Sequence, residues 1–256
     1  MSVYTTEITS AAIQSDNPLH QRLLKAYHLA VPYVSGKMLE LGCGEGRGVQ
    51  ILSEKAESYL GLDKIPEVVN KLQGQFPDLT FKQAVFPPVD LPDESFDTLV
   101  SFQVIEHIKN DRLFLQEIAR LLKPGGKALL TTPNIKMSLS RNPWHMREYT
   151  ADQLEALCQK YFSQVDMKGV AGSEKVMEYH EENRASVQRI MRWDVLNLQY
   201  HLPGWMLRWP YELLNRKNRK GLEKGNTDLV RSIGQEDYFI REKDEQNLDL
   251  FCILVK

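Results

Sequence analysis

The segment Met38-Leu39-Glu40-Leu41-Gly42-Cys43-Gly44-Glu45-Gly46-Arg47-Gly48 runs from an apolar stretch with one acid into a glycine-rich turn. A helical pattern through Val49, Ile51 and Leu52 follows. That order predicts a buried strand, a tight loop and a helix N-terminus. Glycines let the backbone approach a ligand where any Cβ would clash. The first N–H groups of a helix have no intrahelical partner and can face that ligand. Asp63 stands 21 residues after Gly42, at the end of the short apolar run Ser58 to Leu62. A carboxylate there can accept from both hydroxyls of a ribose, as in dinucleotide-binding folds. Its rival role is a helix N-cap, because a helical pattern follows it. Beside the glycine loop, the ribose role prevails.

A dinucleotide is not the best fit. The glycines are Gly42, Gly44, Gly46 and Gly48, and Arg47 occupies the last position of a G-x-G-x-x-G pattern. Glu40, two residues before the first glycine, would repel a pyrophosphate and favour a cationic group. Proton-transfer candidates lie further on: Glu106, His107, His145, Glu148 and Tyr149.

These residues need a scaffold. Asn17-Pro18 opens a helix, with Leu23, Leu24, Tyr27, Ala30 and Val31 at helical spacing. Most of its apolar residues are expected to pack on the sheet edge; the alternative is a lid over the ligand, with Tyr27 or His28 near the substrate. Strands are predicted at 38–42, 58–62, 80–85, 96–102, 127–132 and 163–170, with a last one at 248–255. Helices are predicted at about 46–56, from Ile65-Pro66 to Gly74, at 111–122 and from Thr150. Strands alternating with helices imply an α/β, doubly wound parallel sheet. Ligands of such sheets sit at the carboxyl ends of the strands, where the loops after Leu41, Leu62, Val85 and Phe102 would gather. Residues 237–241 are expected to form a hairpin with the last strand. Residues 171–235 are too long for a plain connection and predict helices at 181–201 and 204–220, broken at Pro203-Gly204.

The chain resembles the class I S-adenosylmethionine-dependent methyltransferases. The resemblance covers about 36–170 and the terminal strand. It is carried by Leu39-Glu40-Leu41-Gly42-Cys43-Gly44-Glu45-Gly46, Gly61-Leu62-Asp63, Leu91-Pro92-Asp93-Glu94-Ser95-Phe96-Asp97, Val104-Ile105-Glu106-His107-Ile108, Leu121-Leu122-Lys123-Pro124-Gly125-Gly126-Lys127 and Thr132-Pro133-Asn134. It implies a Rossmann-like sheet of seven strands with the last antiparallel. The domain would be 1–170 plus 236–256, with 1–35 as a helical lid and 171–235 as a helical cap inserted before the last strand.

The resemblance also implies roles. S-adenosylmethionine is the implied cofactor. Glu40 would help hold its ammonium side, through water or the backbone. Gly42, Cys43 and Gly44 would line the methionine and ribose portions, Asp63 would take the ribose hydroxyls, and Lys64 would flank the adenine. Val85 and Phe86 would contact adenine, because the acid many relatives carry after strand three is absent here. Phe102 and Gln103 would face the methionine end. His107 and His145 are the expected acceptor-side residues, His145 because similar enzymes carry a His-x-x-x-Tyr-like stretch beside the acceptor pocket. Small-RNA ribose methyltransferases of this fold bind a divalent ion through Glu-x-x-Glu-His and a later His. Here Gln103 stands at the first position, so no metal is expected. Quinone-biosynthesis O-methyltransferases are among the relatives it resembles best.

Composition narrows the partners. The net charge of −2 over 256 residues gives no global attraction to nucleic acid. Cys43, Cys158 and Cys252 are too scattered for a disulfide framework or a zinc site and suit a cytoplasmic setting. Met1 to Ser10 lacks a signal-peptide pattern. Residues 184–224 hold nine Lys or Arg and three acids among aromatic residues. They are expected to form an amphipathic cap packed on the core, with peripheral membrane contact as the alternative. The function expected is methyl transfer to a small or lipid-like acceptor. Its rivals are a nicotinamide-dependent dehydrogenase and a non-catalytic binding or membrane-surface module.

Overall fold

The structure is a computed structural model that describes residues 13–192, 194 and 198–256. Residues 1–12 of the stretch expected to be irregular over 1–17, and Trp193 with 195–197 in the insertion, lie outside the described residues. Eight strands form one sheet: β1 (Lys37–Leu41), β2 (Ser58–Asp63), β3 (Thr80–Gln83), β4 (Phe96–Phe102), β5 (Leu122–Pro133), β6 (Gln164–Gly172), β7 (Tyr238–Glu242) and β8 (Asp249–Val255). Their order is β3-β2-β1-β4-β5-β8-β6-β7. The first five pair in parallel. β8 lies antiparallel between β5 and β6, with Leu129 opposite Ile253 and Met167 opposite Cys252.

Two expectations are corrected here. The sheet has eight strands rather than seven, and β7 does not form a hairpin with β8. It pairs antiparallel with the outer edge of β6, Val170 opposite Ile240. The reason lies in the two side-chain patterns. Residues 249–254 of β8 are all buried, as suits a strand with neighbours on both edges and cover on both faces. β7 buries only Tyr238 fully and carries Arg241 and Glu242, charged residues suited to an edge.

Alternation along β1 sends Met38 and Glu40 to one face and Leu39 and Leu41 to the other. The first face is covered by α1 (Asn17–Ala30), α2 (Val49–Ser53), α3 (Pro66–Gln75) and α6 (Glu174–Met191). Tyr27, Leu52, Leu72 and Val176 pack there on Met38, Val100 and Leu129. The second is covered by α4 (Asp111–Leu121) and α5 (Ala151–Cys158), where Phe114, Ile118 and Leu154 meet Leu39, Leu99 and Leu130. Each large side chain so buried contributes about 1.5–3 kcal/mol of transfer free energy. The helices start where their caps allow. Thr150 Oγ1 accepts from Gln153 N at 3.2 Å while Gln153 Oε1 accepts from Thr150 N at 3.0 Å. β3 stops at Gln83, so Ala84, Val85 and Phe86 belong to the following loop.

The insertion contains α6, then α7 (Leu198–His201), α8 (Gly204–Gly225) and α9 (Thr227–Ser232). The break at Pro203-Gly204 falls where the sequence places it, but α6 starts at Glu174, well before 181. The insertion is tied to the start of α1. Asp16, 1% exposed, accepts from Arg219 Nη1 at 2.9 Å and Arg216 Nη1 at 3.1 Å. Asn17 Nδ2 donates to the carbonyls of Val230 and Ile233. Among the described residues, no helix is long and apolar enough to cross a membrane.

Candidate active site

The loop between β1 and α2 is set by backbone geometry. Gly42, Gly44 and Gly46 have φ of 83°, 50° and 79°, a region costly for residues with a Cβ. A Cβ on Gly42 would also lie 2.5 Å from Val104 Cγ2. The turn is anchored from β2: Leu62 O accepts from Gly42 N at 2.8 Å and from Cys43 N at 3.1 Å. Asp63 Oδ2 accepts from Gly44 N at 2.9 Å, and its Oδ1 accepts from Ile65 N at 3.0 Å. Asp63 is not the helix N-cap, a position held by Ile65, from whose N–H it accepts. It organises the start of the next helix and faces the cavity.

That cavity, about 350 Å³, lies at the carboxyl edge of β1, β2 and β4. Nine of the ten residues expected to touch the cofactor line it: Gly42, Cys43, Gly44, Asp63, Lys64, Val85, Phe86, Phe102 and Gln103. Val85 is 78% exposed at its mouth, and Phe86 stacks on Phe114 with ring centres 5.9 Å apart. From α1, Leu23 and Tyr27 close the side, Tyr27 edge-on to Phe102 at 4.9 Å. His28 is exposed and is not among the lining residues.

Glu40 does not line the cavity. It is 1% exposed, and its carboxylate accepts from the Tyr27 hydroxyl at 2.9 Å and from the Tyr59 hydroxyl. Burial raises its pKa, and the two tyrosine hydrogen bonds oppose that rise. Its side chain is committed to holding α1 and β2 against β1.

A second chamber, about 280 Å³, adjoins the first. Leu23, Gln103 and His107 line both. Gln103 has φ 57°, a strained conformation for a residue other than glycine. Its N–H donates to Thr131 O at 2.9 Å, and its Nε2 donates to Thr131 Oγ1 at 3.3 Å. The strained turn sets its side chain at the junction of the two spaces.

The acid–base candidates gather in the second chamber. His107 Nδ1 is 3.1 Å from Trp144 O, which can only accept. Nδ1 therefore carries the proton, and Nε2 is the basic nitrogen. The His145 ring lies edge-on to it at 4.9 Å. His145 Nδ1 donates to Glu148 Oε1 at 2.6 Å, and Asn142 Nδ2 donates to His145 Nε2 at 2.8 Å. Glu106 is 1% exposed and accepts from Thr132 Oγ1 at 3.0 Å; burial pushes its pKa up to about 7. Tyr149 is removed from the candidates, since its hydroxyl is buried and donates to Asp111 Oδ2 at 2.9 Å.

Glu106, His107 and His145 each bring a ligand atom within 4.8 Å of the others. The replacement of an acid by Gln103, the reason for expecting no metal, therefore still leaves three donors together.

α6 and α8 add Tyr179, His180, Asn183, Tyr211 and Asn215 to the chamber wall. Burial, with Arg22 and Arg184 nearby, pushes His180 down to about 4. Tyr59, the Arg22–Asp249 pair at 3.1 Å and His180 were not singled out from sequence. A buried acid in β1 signals that partners exist, but not which ones.

A sheet wound both ways from the β1–β4 junction and completed by an antiparallel β8 defines the class I methyltransferase fold. The glycine loop and the acid closing β2 stand at its ligand edge. Residues 39–130 match the family described as "Methyltransferase domain", so the chain carries a methyltransferase domain over that segment.

It is 35% identical over 159 residues to a "probable S-adenosylmethionine-dependent methyltransferase" of Mycolicibacterium smegmatis, covering 60% of this chain and 62% of that protein. It is 30% identical to the mitochondrial ubiquinone biosynthesis O-methyltransferase of Mus musculus, covering 45% of this chain and 34% of that one. Identity is also 30% to a fatty-acid O-methyltransferase of M. smegmatis, covering 46% of each. The chain thus spans less than two thirds of the length of these relatives. A solved Thermotoga maritima methyltransferase, described as a possible histamine N-methyltransferase, shares the fold with a TM-score of 0.60 at 14% identity. That alignment covers 93% of this chain and 91% of the other. The methyltransferase match displaces the dehydrogenase alternative.

Proposed function

We propose that the chain transfers the methyl group of S-adenosylmethionine to a small or lipid-like acceptor held in the second chamber, with His107 as the proton acceptor. The observation that carries this is the common wall of the two spaces, in which His107 and Gln103 line both. The residues present fit the cofactor. Positive φ and the absence of Cβ atoms leave Gly42 and Gly44 as an open backbone cradle, with Asp63 beside it. When bound, S-adenosylmethionine supplies an electrophilic methyl on a sulfonium.

The protein's task is then alignment and exclusion of water. Gln103 and Leu23 narrow the passage between chambers. His107, oriented by Trp144 O, takes a proton from an acceptor hydroxyl at its Nε2. Glu148 orients His145 beside it. O-methyl transfer to fatty acids and in ubiquinone biosynthesis, named for two relatives, supports an acceptor of this size.

The test is incubation with methyl-labelled S-adenosylmethionine and fractionated metabolite and lipid extracts. Label should enter an organic-extractable product of low mass. His107→Ala should slow that transfer by about 10²–10⁴-fold while S-adenosylhomocysteine binding persists. Label confined to protein or nucleic acid, or an unaffected His107→Ala rate, would refute the reading. No transfer with retained binding would favour the non-catalytic alternative.

A further inference from the structure

The second chamber consumes only one face of α8. Tyr211 and Asn215 line the chamber, and Asn218 and Leu222 are buried on the same side. The opposite face is bare. Trp205 is 70% exposed, Trp209 74% and Leu213 56%. These residues recur at intervals of four, which places them on one stripe. Met206, 46% exposed, lies on its flank. Single exposed apolar residues are ordinary on protein surfaces. Two tryptophans on adjacent turns, both largely in solvent, make a patch of the kind that marks an interaction site.

The stripe continues toward the C-terminal end of α8 as charge. Lys217, Lys220 and Lys224 are exposed on the same side as the tryptophans, and none makes an ion pair among the described residues. The other cations of the helix are already engaged. Arg216 and Arg219 hold Asp16, and Arg208 lies 4.0 Å from the centre of the Trp144 ring. The helix's acids, Glu212 and Glu223, are half-buried. The basic character of α8 therefore resolves into structural arginines and one outward row of lysines. The sequence expectation that the aromatics pack on the core holds for Tyr211 and is corrected for Trp205 and Trp209.

We propose that this outer face of α8 docks on an anionic phospholipid bilayer, with Trp205, Trp209 and Leu213 at the headgroup–acyl boundary and Lys217, Lys220 and Lys224 on lipid phosphates. Indole rings favour that boundary, where one edge is apolar and the other wet. Charge complementarity selects the occupant. A second copy of the same face would offer the three lysines only apolar surface or more lysines, whereas phosphates pair with them. If the proposed reaction holds, docking sets the acceptor chamber one helix away from the lipid, a distance of about 10 Å.

Co-sedimentation of the full chain with phosphatidylglycerol–phosphatidylcholine vesicles, against phosphatidylcholine alone, tests this at low salt. The wild type should pellet with the anionic vesicles, with a blue shift of tryptophan emission. The double variant Trp205→Gln/Trp209→Gln should bind about tenfold or more weakly. Lys217→Gln/Lys220→Gln/Lys224→Gln should lose roughly a hundredfold and most of the salt dependence. Unchanged S-adenosylhomocysteine affinity in each variant shows that the fold survives.

Equal pelleting of wild type and the tryptophan variant overturns the proposal. So does a concentration-dependent dimer that the tryptophan variant dissolves without any vesicle binding, which would assign the face to a second copy. Binding to an oligonucleotide in place of vesicles also overturns it. Vesicle binding needs no turnover, so its outcome and that of the labelling experiment are separable.

Discussion

The Tyr27 hydroxyl donates to Glu40 Oε1 at 2.9 Å, bonding α1 to β1 beside the cavity at the carboxyl edge of the sheet. Tyr59 donates to the other carboxylate oxygen, so a buried acid accepts from two phenols. Burial raises the pKa of both tyrosines, and the Glu40 charge adds to that, so they stay protonated as donors. The contact makes α1 part of the proposed cofactor site and not only a cover for the sheet. Gly48 is the complement of this arrangement, because a Cβ there would sit 1.8 Å from Tyr27 Cδ1.

Tyr27→Phe should keep the ring packing and remove one donor from a buried carboxylate. A loss of about 1–3 kcal/mol of stability is expected, the cost of leaving such a group short of a partner. Urea unfolding measures it, and calorimetry should show weaker S-adenosylhomocysteine binding in parallel. Unchanged values for both would mean that the hydrogen bond does not tie α1 to the site.

Asp63→Ala removes the acceptor for Gly44 N and Ile65 N as well as the proposed ribose contact. Cofactor affinity should fall by about 1–3 kcal/mol. Titration calorimetry with S-adenosylhomocysteine checks the magnitude, and wild-type affinity would show that the ribose lies elsewhere.

Glu106 links stability to pH. Burial raises its pKa from 4.5 to about 7 in the folded chain. The folded state therefore binds the proton more tightly than the unfolded one. Its contribution is fully present below about 4.5 and is lost as pH rises through about 7. Glu106→Gln has no proton to lose. Its stability relative to wild type should rise across that window, by roughly 3 kcal/mol at most for 2.5 units (7 − 4.5), and level off above it. Urea midpoints at pH 4.5, 6 and 8 measure the trend. A pH-independent difference would place the titration elsewhere.

Much of the fold was legible because its signals are local. Thr150 and Gln153 are three residues apart, and a capping box needs nothing further. The buried run of β8 announces an interior strand. Where β7 lies could not be read, since strand order depends on which edge remains after β8 has entered between β5 and β6. The cap's cations show the same divide. Nine Lys or Arg in 184–224 look alike in sequence, yet Asp16, 200 and 203 residues from its two partners, takes two of them out of solvent.

By itself the sequence determined the glycine loop, the acid at the end of β2 and hence the class of cofactor. Each follows from backbone conformations and spacings within one strand–loop–helix unit. Only the tertiary structure decided that Glu40 faces two tyrosines instead of the ligand, and that His107 stands in the wall between two chambers. It also decided that α8 turns Tyr211 inward and two tryptophans outward. Those outcomes depend on contacts between segments far apart in the chain, and no local pattern encodes which distant group will satisfy a buried charge or cover an apolar face.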